Sequence, residues 1–215
     1  MNTIVEVLRA PSPAPLPQSL AFDGQFLWMG SIETSRIYAI DPLQWTVKEE
    51  SQAPGKPWGM TSIGDELRVL CGEPPDDDRF IRRFIPGHGF KSEYRLACPE
   101  NTGSQLGYDG KNLAISQWYN HKVVTVDDAG KIVRTLVAPR GICGQVFADG
   151  AFYLLTTGDE EASDDYYVTR VDPKDGSAKD LARVPFPGRA LAFDGQKFWS
   201  NHREAHEMVA FTLPV

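Results

Sequence analysis

Apolar residues along this chain come in short runs interrupted by a two-letter polar break, and the same interrupted run returns several times. "SLAFDGQFLW" (19–28) is nearly repeated as "ALAFDGQKFW" (190–199), and degenerate copies stand at 59–70 ("GMTSIGDELRVL"), 105–116 ("QLGYDGKNLAIS") and 145–156 ("QVFADGAFYLLT"). The aligned glycines are Gly24, Gly64, Gly110, Gly150 and Gly195, spaced by 40, 46, 40 and 45 residues. A fixed period of this length marks a repeat architecture and matches four-stranded propeller blades, each unable to bury its apolar face without a neighbour.

Inside each copy, an apolar run meets an Asp-Gly or Gly-Asp pair and a second apolar run follows at once, which is a hairpin pattern. These runs are strands A and B of a blade. A third alternating run follows a polar insert, at 36–41, 79–84, 122–127, 166–172 and 208–213. A fourth follows at 46–50, 93–97, 132–136 and 178–184, and the fifth copy stops before supplying one. The alternating segment 3–10, "TIVEVLRA", precedes the first copy and is left over to fill that vacancy. The fold expected is therefore all-β: a five-bladed β-propeller of four-stranded antiparallel blades, closed by the N-terminal strand pairing in the last blade. The blades span about 18–51, 57–98, 104–138, 144–184 and 189–215 plus 3–10 of a single domain, 1–215. A two-sheet sandwich also has short strands and many turns but needs no such period. The apolar residues Phe26, Leu67, Leu113, Phe152 and Phe198, with Trp28 and Trp199, are expected in the packing between blades.

Composition narrows the partners. The 215 residues are 41% hydrophobic and 24% charged, with 19 Gly and 16 Pro, as in a turn-rich globular protein. A net charge of −7 without clustered Lys and Arg argues against a nucleic-acid partner. No apolar run has the length of a membrane span or a signal peptide, so neither a membrane partner nor export is expected and a cytoplasmic location is. Cys71, Cys98 and Cys143 form neither a CxxC pair nor an even set, which suits reduced thiols.

In a propeller the D-to-A and B-to-C connections gather at one mouth of the central channel, and loops on a rigid scaffold carry function. The D-to-A segments place Gln18, Trp58, Ser104, Gly144 and Arg189 six positions before the turn glycines, with Gln105 and Gln145 one step later and Cys143 one step earlier. The ring so formed suits an amide or carboxylate. Among the B-to-C segments lie His121, His202 and His206, and His202 or His121 is the candidate general base, with Arg189 stabilising a carboxylate or oxyanion. A divalent metal held by some of His202, His206, His121, Glu33, Glu73 and Asp159 is a further candidate, although the motif order of zinc proteases is missing. The acidic runs 76–78 and 159–165 lack calcium-loop spacing and read as solvated loops. Two functions follow: a small-molecule ligand bound or converted at the mouth, or a non-catalytic scaffold whose exposed Trp45, Trp118, Tyr119, Tyr166 and Tyr167 face a protein partner.

The phrases "LAFDGQFLW" and "RIYAIDP" resemble the repeats of the streptogramin lyase, gluconolactonase-type and quinoprotein-like propellers. Five repeats in so short a chain, with "KPWGMTSIGDEL" and "LGYDGKNLAIS", resemble the glutamine cyclotransferases, the plant- and bacterial-type glutaminyl cyclases. That resemblance implies a five-bladed propeller and a lyase- or cyclase-like reaction. Trp58 in "PWGM" matches the family's tryptophan-glycine phrase, whereas the family's acid, four positions after the first turn glycine, is Trp28 here.

Overall fold

The computed structural model describes residues 1–159 and 165–214, so residues 160–164 of the second acidic run lie outside the described residues. Its strands form five antiparallel four-stranded sheets. Blade 1 holds β2 (Pro17–Phe22), β3 (Leu27–Ser31), β4 (Arg36–Asp41) and β5 (Thr46–Gln52). Blade 2 holds β6 (Lys56–Ile63), β7 (Glu66–Glu73), β8 (Asp78–Ile85) and β9 (Gly89–Ala97). Blade 3 runs from β10 (Gln105–Tyr108) through β11 (Leu113–Gln117) and β12 (Lys122–Val126) to β13 (Ile132–Val137). Blade 4 contains β14 (Gly141–Ala148), β15 (Ala151–Thr157), β16 (Tyr166–Val171) and β17 (Ala178–Val184). Blade 5 takes β18 (Gly188–Phe193), β19 (Phe198–His202) and β20 (Glu207–Thr212), and its outermost strand is β1 (Val5–Pro11). The innermost strands β2, β6, β10, β14 and β18 pack each against the next, and β18 returns to β2, so the sheets form a closed five-bladed propeller.

The near-identical phrases of blades 1 and 5 have a local cause. Asp23 Oδ1 accepts from the amides of Gln25 and Phe26, and Asp194 Oδ1 does the same for Gln196 and Lys197. Gly24, at φ +97°, takes the left-handed turn position that a side chain would strain. The other oxygen of each carboxylate receives an indole, Trp28 on Asp23 and Trp199 on Asp194. Asp-Gly followed by Trp five residues after the Asp is thus one device: a capped turn carrying a large core side chain whose polar edge is satisfied beside it. Blades 2 and 4 use tighter turns, Ile63 pairing with Glu66 and Ala148 with Ala151.

Five apolar clusters fill the five clefts between neighbouring blades. Trp28 packs with Met60 and Phe84 of blade 2, and Trp199 with Leu20 and Met29 of blade 1. Burying side chains of this size contributes about 2–3 kcal/mol each. Phe26 packs against the cluster between blades 1 and 2 while half-buried; Phe22 pairs with Leu27, and Leu27 takes the buried place that Leu113 and Phe198 occupy in blades 3 and 5.

The N-terminal strand closes the ring as expected, β1 pairing with β20 from Val5 opposite Thr212 to Pro11 opposite Glu207. It also does more. Before joining blade 5, the chain runs parallel to β17 of blade 4: the Ile4 amide donates to the Arg183 carbonyl at 2.9 Å and the Arg183 amide to the Asn2 carbonyl at 3.0 Å. Ile4 is buried in the cluster between those two blades. One terminal segment therefore ties two blades together.

Candidate functional site

The innermost strands are not regular. The pairing of β2 with β3 skips Gln18, that of β6 with β7 skips Trp58, and that of β14 with β15 skips Cys143. In blade 3 the Ser104 amide bonds the Ser116 carbonyl while the Gln105 amide turns to the Ser116 hydroxyl. In blade 5 Ala190 and Leu191 bulge together opposite Ser200, with Ala190 at φ +59°. The Ser200 hydroxyl lies 3.1 and 3.0 Å from the carbonyls of Arg189 and Ala190. A bulge breaks the strict alternation of faces and re-aims the extra side chain. Four of the inner strands, β2, β6, β14 and β18, do so towards the same end of the channel, while β10 pairs with β11 without a shift.

The skipped residues Gln18, Trp58 and Cys143 line a cup of about 200 Å³. Gln18, Trp58, Ser104, Gln105, Cys143 and Arg189 come from the inner strands and their entries, and Arg79, Trp118, Tyr119 and Arg203 from the B-to-C side. The floor is an amide. Gln105 Nε2 donates to the carbonyls of Trp58 at 3.0 Å and Gln18 at 3.4 Å, linking blade 3 to blades 2 and 1 across the channel. Gln145, expected at the same mouth, instead donates to the carbonyls of Ala114 and Gln105 and lines a second cavity of about 120 Å³ at the opposite end, with Thr61, Tyr108 and Phe193. The Cys143 bulge explains the difference, because the skipped residue takes the mouth position and moves Gln145 one step deeper.

Arginine and tryptophan form the walls. The Arg79 guanidinium lies 4.2 Å from the Trp58 ring centroid. Asp77 locks the pair, accepting from Trp58 Nε1 at 3.0 Å and facing Arg79 Nη2 at 3.1 Å. A Cβ at Gly72 would overlap Asp77 Oδ1 and Trp58 Nε1, which is why only glycine fits beneath them. Burial lowers the Arg79 pKa, and the Asp77 charge opposes that shift. Arg189 is buried, 3% exposed, donating to the Tyr166 hydroxyl and the Gly188 carbonyl at 3.0 Å with Cys143 Sγ at 3.6 Å. Arg203 reaches in from the β19–β20 turn. Its Nη1 donates to Gln18 Oε1 at 3.0 Å, while Nε and Nη2 both hold Glu204 Oε1 at 2.9 Å. Burial pushes the Glu204 carboxyl up, but Arg203, with Arg189 beyond it, outweighs this and holds it below the ordinary carboxylate value.

The structure brings together Gln18, Trp58, Gln105, Cys143 and Arg189 of the expected site, and leaves its histidines outside the cup lining. His202 stacks on Phe186, with Nδ1 3.5 Å from Arg9 Nη1 and 3.7 Å from Glu207 Oε2, at the seam where β1 joins blade 5. His121 is an exposed turn residue at φ +50°, and His206 Nδ1 accepts the Leu16 amide. The six metal candidates are dispersed. Glu33 is exposed in the β3–β4 turn, Glu73 pairs with Arg95 and Arg82, and Asp159 follows β15. Among the described residues no three His, Cys, Asp or Glu side chains gather as a metal centre. Of the aromatic residues expected at the surface, Tyr166 is fully buried, Trp45 stacks on Trp199, Tyr167 lies against Arg140, Trp118 lines the cup and Tyr119 is broadly exposed. Trp28, at the position where the sequence resemblance implied an acid, is fully buried and offers nothing to the mouth. Arg79 and Arg203 carry no pattern in the sequence that marks them; the first is the second residue of β8, beside an acidic run, and the second follows His202 in the β19–β20 turn.

No protein-family model and no curated protein matches the sequence. Solved structures match the fold. Myxococcus xanthus glutaminyl cyclase superposes with a TM-score of 0.74 over 98% of this chain and 96% of that one, at 12% identity. A structural-genomics protein of unknown function from Bacteroides thetaiotaomicron superposes with a TM-score of 0.66 over 100% of this chain and 73% of that one, at 11% identity. The resemblance to the glutaminyl cyclases is therefore structural, a shared five-bladed propeller at a sequence identity that carries the fold alone.

Proposed function

We propose that the cup holds a small molecule bearing a carboxylate or amide group. The observation that carries this reading is the coincidence of four bulged inner strands with one cavity walled by guanidinium and indole groups. Concave sites with a few converging polar groups among apolar walls are the usual form of a ligand pocket, and a cavity of about 200 Å³ suits a ligand smaller than the drug-sized molecules that fill about 300–1,000 Å³. The amide floor has both hydrogens of Gln105 Nε2 directed at carbonyls, which leaves the walls to choose the ligand.

Conversion of the ligand needs a proton-transfer group within hydrogen-bond reach of it. The candidate histidines stand away from the lining, and Cys143 and Tyr119 are the lining residues whose types suit such chemistry. Binding is the reading the geometry favours. The fold shared with a glutaminyl cyclase adds an N-terminal glutaminyl peptide to the molecules worth trying.

The test is a thermal-shift and calorimetric panel of small carboxylates, amides and glutaminyl peptides, because a ligand that binds only the native state raises the transition temperature by mass action. A panel member that stabilises the protein and loses its effect in Trp58→Ala supports the site. A panel without any stabilising member, or a shift that survives both Trp58→Ala and Arg203→Gln, overturns it.

A further inference from the structure

We propose that Arg203 anchors a ligand carboxylate in the cup and that Glu204 is its built-in competitor, a tethered carboxylate that holds the same guanidinium edge until the ligand displaces it. This rests on the reading of the cup as a small-molecule site. Arg203 lines the cavity, and its Nη1 is fixed on Gln18 Oε1, a bulged residue of the opposite side of the seam between blades 5 and 1. Its remaining edge, Nε and Nη2, is the pair of parallel donors that a carboxylate grips with both oxygens. Glu204 uses only one oxygen there, Oε1 receiving both donors, from a side chain 51% exposed in the β19–β20 turn. Such a contact is a poor use of a bidentate edge. An exposed ion pair of neighbouring residues is worth little, so an incoming carboxylate that takes both donors and is shielded by the cup wins the exchange.

The walls specify the rest of the ligand. Trp58 and Trp118 line the cup and Arg79 adds a flat cation stacked on Trp58, a set of planar groups that suits a carboxylate carried on a compact planar group. The class is an aromatic or otherwise flat monocarboxylic acid.

Benzoate and its neutral counterpart benzamide are the probes, titrated calorimetrically into the full chain, Glu204→Gln and Glu33→Gln. Glu33 is an exposed acid in the corresponding turn of blade 1, so its variant makes the same charge change without touching Arg203. The expected result is benzoate binding tighter to Glu204→Gln by roughly two- to fivefold, the worth of one exposed pair, with benzamide unchanged and Glu33→Gln behaving as the parent. Arg203→Gln abolishes the preference for benzoate over benzamide. Unchanged or weaker benzoate binding in Glu204→Gln overturns the proposal, as does equal tightening in Glu33→Gln, which would mark a general field effect. If an amide of the wider panel binds while benzoate does not, the carboxylate anchor fails and the site reading survives. If no panel member binds at all, both fail together.

Discussion

Asp23 serves two masters in the first blade: Oδ1 closes its own hairpin on the amides of Gln25 and Phe26, while Oδ2 takes the indole proton of Trp28 at 2.5 Å. Trp28 is fully buried between blades 1 and 2, in an edge contact with Phe84 at 5.2 Å. Asp23→Ala therefore removes a turn and strands a buried donor at once. Leaving such a donor unsatisfied costs about 1–3 kcal/mol, to which the lost turn bonds add. Chemical denaturation should show a loss of that size, and Asp194→Ala should match it through Trp199. An Asp23→Ala protein as stable as the parent would contradict the shared role assigned to the two phrases.

The terminal strap predicts a second loss. Removing residues 1–4 breaks the bonds between Asn2, Ile4 and Arg183 and exposes the cleft that Ile4 fills, while leaving the pairing of β1 with β20 intact. Burial of one isoleucine and two backbone bonds amounts to about 3–5 kcal/mol. In a chain of this length that lowers the melting temperature by roughly 6–20 °C, read by calorimetry. A shift below a degree or two would mean that blade 5 alone holds the terminus.

How much of this was legible beforehand depends on where the physics is local. The Asp-Gly turns and the period are local, so the blades, their third strands and the closing role of 3–10 could be read from the letters; β4 begins and ends where "RIYAID" does. The mouth was half legible. Gln18 and Trp58 lie where counting back from the turn glycine put them, because both bulges keep that count. In blade 4 the ring position by counting was Gly144, and the bulge at Cys143 shifted the side chain that points inward. Face assignment by strict alternation fails wherever one extra residue enters a strand. Gly144 is small for another reason, close approach to blade 5. Arg79 and Arg203 were hidden because their role depends on contacts between strands and blades, Arg79 on Trp58 of another strand of its blade and Arg203 on Gln18 of the next blade, which no local pattern carries.

The seam around His202 sets a pH dependence. Burial lowers the His202 pKa first and foremost, and the Arg9 cation lowers it further, against the partial opposition of Glu207 and Glu204. The folded protein thus prefers the neutral ring, which accepts from Arg9 Nη1, whereas the unfolded chain protonates near the ordinary value of about 6.5. Between the lowered folded pKa and that value the unfolded state binds more protons, so stability rises with pH through the window and is lost as pH falls below about 6.5. Unfolding midpoints taken from pH 8 to pH 5 should decline, and His202→Gln should flatten the decline at that end of the range. An unchanged slope in the variant would remove His202 from the seam's titration.

Gly144 tests whether the cup depends on close packing of the inner strands. A Cβ placed there would lie 2.4 Å from the Ala190 carbonyl carbon and 2.6 Å from its oxygen, and these are backbone atoms that cannot turn aside. Gly144→Ala must push β14 from β18, at the point where Arg189 reaches Cys143 and Tyr166. Overpacking of this kind costs about 1–3 kcal/mol. Gly150→Ala has open space around its Cβ but keeps a φ of +74°, so it carries the cost of a left-handed alanine, about 1 kcal/mol, without any clash. The two variants separate strain in the backbone from spreading of the blades. Gly144→Ala should lose both stability and binding of any ligand the cup accepts, while Gly150→Ala should lose a little stability and keep its binding, because its turn lies at the far end of the hairpin from the bulge. If Gly144→Ala bound the ligand as the parent does, the spacing of blades 4 and 5 would not shape the cup, and Arg189 would owe its position to β18 alone.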